Sequence, residues 1–138
     1  MRLACILKSG DVILLDGPIG SGKSHFARSL ILSLLSEPED VPSPTFTLVQ
    51  TYEAPDFEIW HSDLYRLTSP DEVVELGLTE AFEEAVCLVE WPDRLADLCP
   101  QNGLNISFKQ ESQEQMRTLQ VSWTDTKWNN QLQGIFNA

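Results

Sequence analysis

Basic residues are scarce in this sequence. Nine Lys and Arg stand against 21 Asp and Glu, for a formal net charge of −12. A surface that grips a nucleic-acid backbone neutralises phosphates with Lys and Arg. The composition therefore predicts little or no direct binding of nucleic acid by the chain alone. Histidine is rarer still, and His25 and His61 are too isolated to build a zinc site. Three cysteines, Cys5, Cys87 and Cys99, are odd in number and widely spaced. That excludes a disulfide framework and suits a reducing compartment. Cys87 lies inside an apolar run and reads as packing. Long apolar runs are missing too: the stretch 30–35 is broken by Ser33 and falls far short of the ~18 residues of a membrane span. The start, Met1-Arg2-Leu3-Ala4-Cys5-Ile6-Leu7-Lys8, has no leader pattern. The expectation is a soluble, cytoplasmic protein with no membrane contact.

What is present fits one domain over residues 1–138, long enough to bury roughly 68% of its unfolded surface. Residues 12–16 form an apolar run ended by Gly17, the pattern of a buried parallel strand. Residues 23–35 follow as a helix, with Phe26, Leu30 and Leu34 at helical spacing. Pro38, Pro42 and Pro44 mark a loop. Segments 46–53 and 57–63 read as an antiparallel hairpin about Ala54-Pro55-Asp56. Ser69-Pro70-Asp71-Glu72 has the form of a capping box, with Gly77 ending that helix and a second short helix around Thr79 and Phe82. Residues 86–89 form another buried strand, a helix is expected over 93–98, and strands over 104–109 and 117–123 close the chain. The interleaving predicts an α/β fold with a mixed central sheet. Asp71, Glu72, Glu75, Glu80, Glu83 and Glu84 crowd a stretch without a basic residue. It reads as a solvated helix face or as a docking face for a basic partner.

Gly17-Pro18-Ile19-Gly20-Ser21-Gly22-Lys23-Ser24 fits G-x-x-x-x-G-K-[ST] without a mismatch. The glycines let backbone N–H groups approach phosphate oxygens, and the following helix adds its positive end. Lys23 is placed to reach the β- and γ-phosphates of ATP, and Ser24 to offer its hydroxyl to Mg²⁺. Such a loop needs an acid at a neighbouring strand end. Glu90, after the 86–89 run, is the first candidate and Asp63 the second; each has the alternative of an ordinary strand-end acid. Pro42-Ser43-Pro44-Thr45-Phe46-Thr47 is a stiff loop. Thr45 either senses the γ-phosphate or Mg²⁺ as switch segments do, or is a strand-favouring residue after a Pro-rich turn.

Five segments occur in order: the phosphate loop, Ser43-Pro44-Thr45-Phe46-Thr47-Leu48-Val49, His61-Ser62-Asp63-Leu64-Tyr65-Arg66-Leu67, Glu75-Leu76-Gly77-Leu78 and Leu88-Val89-Glu90-Trp91-Pro92-Asp93-Arg94. Together they resemble the TsaE (YjeE) family of small ATPases required for threonylcarbamoyladenosine (t6A) in tRNA. The resemblance implies a three-layer α/β/α P-loop NTPase fold and ATP with Mg²⁺ as cofactors. Phosphate contacts are implied at Gly17, Ile19, Gly20, Ser21, Gly22, Lys23 and Ser24, with Ser24 and Glu90 on the metal. Thr45 and Trp91 are implied near the nucleotide, and Asp63 and Glu90 in hydrolysis. Trp91 also has the plain reading of a core aromatic. The implied partner is the TsaB–TsaD heterodimer, whose turnover the ATP cycle supports without the family member transferring the threonylcarbamoyl group. Two departures stand out. Family members usually have about one more strand and helix before the equivalent of Leu3, so this start reads as clipped: either the first methionine is misassigned or that strand is missing. Pro18-Ile19 replaces a common Asp-Leu.

Two other functions compete. A small P-loop kinase needs a cationic lid, and Arg2, Arg28, Arg66, Arg94 and Arg117 form no cluster in sequence. A nucleotide-gated binding module without turnover would share the same loop.

Overall fold

The computed structural model describes residues 2–18, 21–44, 47–110 and 117–132. Its strands are β1 (Val12–Asp16), β2 (Val49–Glu53), β3 (Glu58–Asp63), β4 (Val86–Glu90), β5 (Leu104–Gln110) and β6 (Arg117–Ser122). They form one sheet in the order β2-β3-β4-β1-β5-β6. The inner four are parallel, while β2 and β6 run antiparallel at the two edges. The sheet is mixed, as the early hairpin predicts, and the Ala54 N–H closes that turn on the Phe57 carbonyl at 3.0 Å.

The uninterrupted apolar runs of β1 and β4 follow from burial on both faces. Ile13 and Leu15 of β1 and Val86 and Leu88 of β4 pack toward α1 (Lys23–Leu34), together with Ala27, Leu30 and Ile31. Val12, Leu14, Cys87 and Val89 point the other way. They meet Val73 of α2 (Asp71–Glu75), Leu78, Ala81 and Phe82 of α3 (Leu78–Glu84), and Leu95. This is a three-layer α/β/α arrangement. Cys87 is buried packing, and burial pushes its thiol up to about 12. Five of the six crowded acids, Asp71, Glu75, Glu80, Glu83 and Glu84, are exposed on α2 and α3.

Several boundaries differ from expectation. β2 begins at Val49 rather than 46, because Leu48 adopts φ 68 and donates its N–H to the Pro44 carbonyl at 2.7 Å. The segment expected as a helix over 93–98 is a pair of 3₁₀ turns, Pro92–Leu98, broken where Ala96 takes φ 50 and ψ −123. The capping box forms in a loosened version. Ser69 Oγ accepts the Asp71 N–H at 3.3 Å, and the Glu72 carboxylate turns back to the Ser69 N–H and to the N–H and hydroxyl of Thr68.

Two elements went unread. A 3₁₀ turn, Arg2–Ile6, lays Leu3 on the core. A short helix α4 (Lys127–Gln131) buries Trp128 in the same cluster. It is tied down by Asp11, whose carboxylate meets Lys127 Nζ at 2.9 Å and Gln131 Nε2 at 3.0 Å. The pairing links residues more than a hundred positions apart, which local periodicity does not register. No described helix is long and apolar enough to cross a membrane.

Candidate functional site

The centre of the sheet decides where the chemistry-bearing residues go. β1 feeds the 17–22 loop, and the loop feeds α1. Gly17 is a glycine for a steric reason. A Cβ there would lie 2.8 Å from the Phe108 carbonyl oxygen and 2.9 Å from Ser21 Oγ. Gly22 takes φ 104 to launch α1, a conformation that other residues adopt only with strain. Lys23 and Ser24 are then the first two residues of the helix. Ile19, Gly20 and Thr45 lie outside the described residues.

Lys23 folds back over the loop. Its ammonium donates to the Gly17 carbonyl at 2.5 Å and sits 3.4 Å from the centroid of the Trp91 indole ring, a cation–π contact. Burial lowers its pKa below the usual lysine value. The carboxylates of Glu90, Asp63, Asp16 and Asp93 oppose that shift by favouring the charged form.

Ser24 and Glu90 are in contact. The Ser24 hydroxyl donates to Glu90 Oε1 at 2.8 Å. Asp63 stands beside Glu90, because β3 and β4 are parallel with these two residues paired in register. Both acids are buried, 5% and 1% exposed. Asp63 Oδ1 accepts the Tyr65 N–H at 3.0 Å. Trp91 leaves the strand in the left-handed region, φ 62 and ψ 53, with its N–H on the Leu15 carbonyl at 3.3 Å. That turn carries the indole over Lys23, so Trp91 is neither a simple core residue nor a free surface one.

The structure brings Gly17, Ser21, Gly22, Lys23, Ser24, Asp63, Glu90 and Trp91 to one end of the sheet. It adds residues to which the sequence alone assigns no role, although they stand in the same segments. His61 Nε2 lies 2.7 Å from Glu90 Oε2. Tyr65 packs on Trp91 with centroids 5.0 Å apart, and the Arg94 guanidinium lies 5.9 Å from the Tyr65 ring. Strand alternation held the signal for His61: it is two residues before Asp63 and shares its face.

Among the described residues, no three His, Cys, Asp or Glu side chains are grouped to enclose a metal ion. The arrangement offers a hydroxyl and a carboxylate instead. That donor set suits a magnesium ion completing its shell with waters and phosphate oxygens.

A central parallel strand, a glycine loop capping a helix and helices on both faces of a mixed sheet define the small P-loop NTPase fold. A family model described as threonylcarbamoyl adenosine biosynthesis protein TsaE matches residues 1–119. The chain belongs to the TsaE family. It is 42% identical over 106 residues to a tRNA threonylcarbamoyladenosine biosynthesis protein TsaE of Rickettsia bellii, covering 77% of this chain and 74% of that protein. A Rickettsia conorii protein of the same name is 46% identical over 96 residues, with 70% and 55% covered. That of Bacillus subtilis is 36% identical over 113 residues, with 81% and 70% covered. The crystal structure of Bacillus subtilis YdiB superposes with a TM-score of 0.78 at 28% identity, covering 96% of this chain and 81% of that one.

Proposed function

We propose that this chain is a single-domain, cytoplasmic P-loop ATPase. In this reading it binds ATP with Mg²⁺, hydrolyses it slowly, and thereby supports threonylcarbamoyladenosine formation at position 37 of tRNA. The relatives carry that biosynthetic role in their names. The proposed partner is the TsaB–TsaD pair, with the group transfer left to TsaD. The observation that carries the reading is the convergence of Lys23, Ser24, Asp63 and Glu90 at the mouth of the glycine loop, from three separate elements.

The residues present fit the nucleotide. Gly17 leaves no room for a side chain where backbone must approach a ligand. Ser21 Oγ is buried in the loop with no partner among the described residues. The Lys23 ammonium is held at the loop by a carbonyl and a ring face, contacts that a phosphate oxygen can replace with stronger, charge-assisted ones. Loop N–H groups and Lys23 would take the β- and γ-phosphates, and Ser24 with Glu90 would hold Mg²⁺. Magnesium bound there would neutralise charge developing between the phosphates. Glu90 and Asp63 would order the metal's waters and the attacking water. Trp91 shields Lys23 from solvent, which strengthens each of these interactions.

The test is ATP hydrolysis by the purified chain, alone and with the TsaB–TsaD pair, beside a pull-down from cell extract with ATP present. Slow turnover that rises with the pair, and recovery of the pair in the pull-down, are expected. Binding without turnover in either condition would reduce the protein to a nucleotide-gated module.

A further inference from the structure

The Glu90 carboxylate is held from two sides, and only one of its holders belongs to the phosphate loop. Ser24 donates to Oε1 at 2.8 Å and His61 lies 2.7 Å from Oε2. His61 comes from the middle of β3, on the face that α1 covers, and is 1% exposed. Its other ring nitrogen, Nδ1, is buried with no partner among the described residues. An imidazole among Ile59, Leu88 and their neighbours is an expensive occupant unless its polar atoms are satisfied. Here the bond to Glu90 satisfies Nε2 alone, which makes it the one polar contact that holds the ring among the described residues. The carboxylate, an acceptor, calls for a proton on Nε2. A lone pair at Nδ1 leaves Nε2–H to donate to the carboxylate, whereas the reverse tautomer would set two acceptors face to face.

We infer that His61 is a positioning residue for Glu90: its Nε2–H holds Oε2 so that Oε1 stays aimed at the Ser24 end of the site during hydrolysis. The inference rests on the ATPase reading above. The two holders differ in kind. The Ser24 hydroxyl is the group that reading assigns to Mg²⁺: an oxygen lone pair would take the metal while the O–H still donates to Oε1, so this holder is tied to the state of the loop. His61 is on a strand, behind the carboxylate and away from the loop. It is the restraint that a change at the loop does not remove. Partners behind a reacting or ligating group commonly change activity or metal affinity by about 10- to 100-fold when deleted.

The experiment compares His61→Leu, which keeps an apolar volume and removes the donor, with His61→Gln, whose amide nitrogen can take the place of Nε2–H. Nucleotide affinity is measured by calorimetry with ATP and Mg²⁺, turnover by phosphate release, and folding by thermal melting. His61→Leu should lower kcat by about 10- to 100-fold with KM and ATP affinity changed less than about threefold, and His61→Gln should recover most of the loss. A separate readout needs no nucleotide. In long-range ¹H–¹⁵N spectra of the parent chain, His61 should show a protonated Nε2 and a bare Nδ1, with the Nε2–H resonance moving upfield in Glu90→Gln. Parent-like kcat in His61→Leu, equal losses in both His61 variants, or an Nε2–H resonance indifferent to Glu90→Gln would each overturn the positioning role. A parent chain that hydrolyses no ATP, with or without the TsaB–TsaD pair, overturns the ATPase reading itself, and its control arm separates that failure from the other. Should His61→Leu fail to fold, the His61→Gln kinetics and the imidazole spectrum still decide.

Discussion

The Lys23 ammonium bridges the Gly17 carbonyl, at 2.5 Å, and the face of the Trp91 indole, at 3.4 Å from its centroid. Neither contact belongs to the core, and burial already disfavours the charge. Removing Lys23 should therefore cost ligand contacts rather than packing. Lys23→Ala is expected to keep its melting temperature within a few degrees and to weaken ATP binding by about 10- to 100-fold, the scale of one or two charged hydrogen bonds. Calorimetry with ATP and Mg²⁺ measures this. Unchanged affinity would remove the loop from consideration as the nucleotide site.

Glu90→Gln preserves size and one acceptor oxygen but removes the charge. ATP affinity should stay within about threefold while turnover falls by about 10²- to 10⁴-fold, the usual range for losing a positioned acid or base. Asp63→Asn should act in the same direction and less severely, since the Ser24 hydroxyl contacts Glu90. Single-turnover phosphate release separates the two. A Glu90→Gln chain that turns over at the parent rate would leave Glu90 with no role in the chemistry.

Strands β1 and β4 were legible because burial on both faces forces continuous apolar runs, whereas β3, which carries Asp63, was legible from its strand composition after the Ala54-Pro55-Asp56 turn. The phosphate loop was legible because its glycines, Lys23 and Ser24 fall at a fixed spacing within one short segment. Alternation puts His61 on the face of Asp63, but its contact with Glu90 depends on the register of β3 against β4, which sequence spacing does not give. The same holds for α4. Its anchor is Asp11, and a five-residue helix held by a distant carboxylate has too little periodicity of its own to be read. β2 starts at Val49 because the left-handed Leu48 does not continue a strand; position 46 of the expected strand lies outside the described residues.

With nine basic residues against 21 acidic ones, the isolated chain should bind tRNA weakly at physiological salt. A gel-shift titration with no partner protein is expected to show no complex below micromolar concentrations. A submicromolar complex would require a basic face that the composition does not supply.

The loop before β2 is coupled by its backbone to a candidate acid: the Asp63 N–H donates to the Leu48 carbonyl at 3.0 Å, and Leu48 in turn donates to Pro44 at 2.7 Å. Thr45 lies between those two anchors. If its hydroxyl engages the γ-phosphate or Mg²⁺ only with ATP bound, hydrolysis releases the segment and alters the surface offered to the partner. ATP should then raise affinity for the TsaB–TsaD pair over ADP by about 5- to 150-fold, the range of ordinary coupling free energies, and Thr45→Ala should shrink that ratio. Titration of the pair in ATP-analogue and ADP states tests it, with equal affinities for the parent chain rejecting the switch.

The pairings Leu15 with Glu90 and Asp63 with Glu90 have a consequence for quality control. A slip of β4 by one residue would present Val89 or Trp91 in that row and turn every β4 side chain to the opposite layer. The acid at the mouth of the loop and the apolar residues that hold the sheet are thus set by one alignment. A molecule cannot be correctly assembled in its interior and misaligned at its site. If the chain hydrolyses ATP as proposed, its activity should vanish at the same denaturant concentration as the sheet.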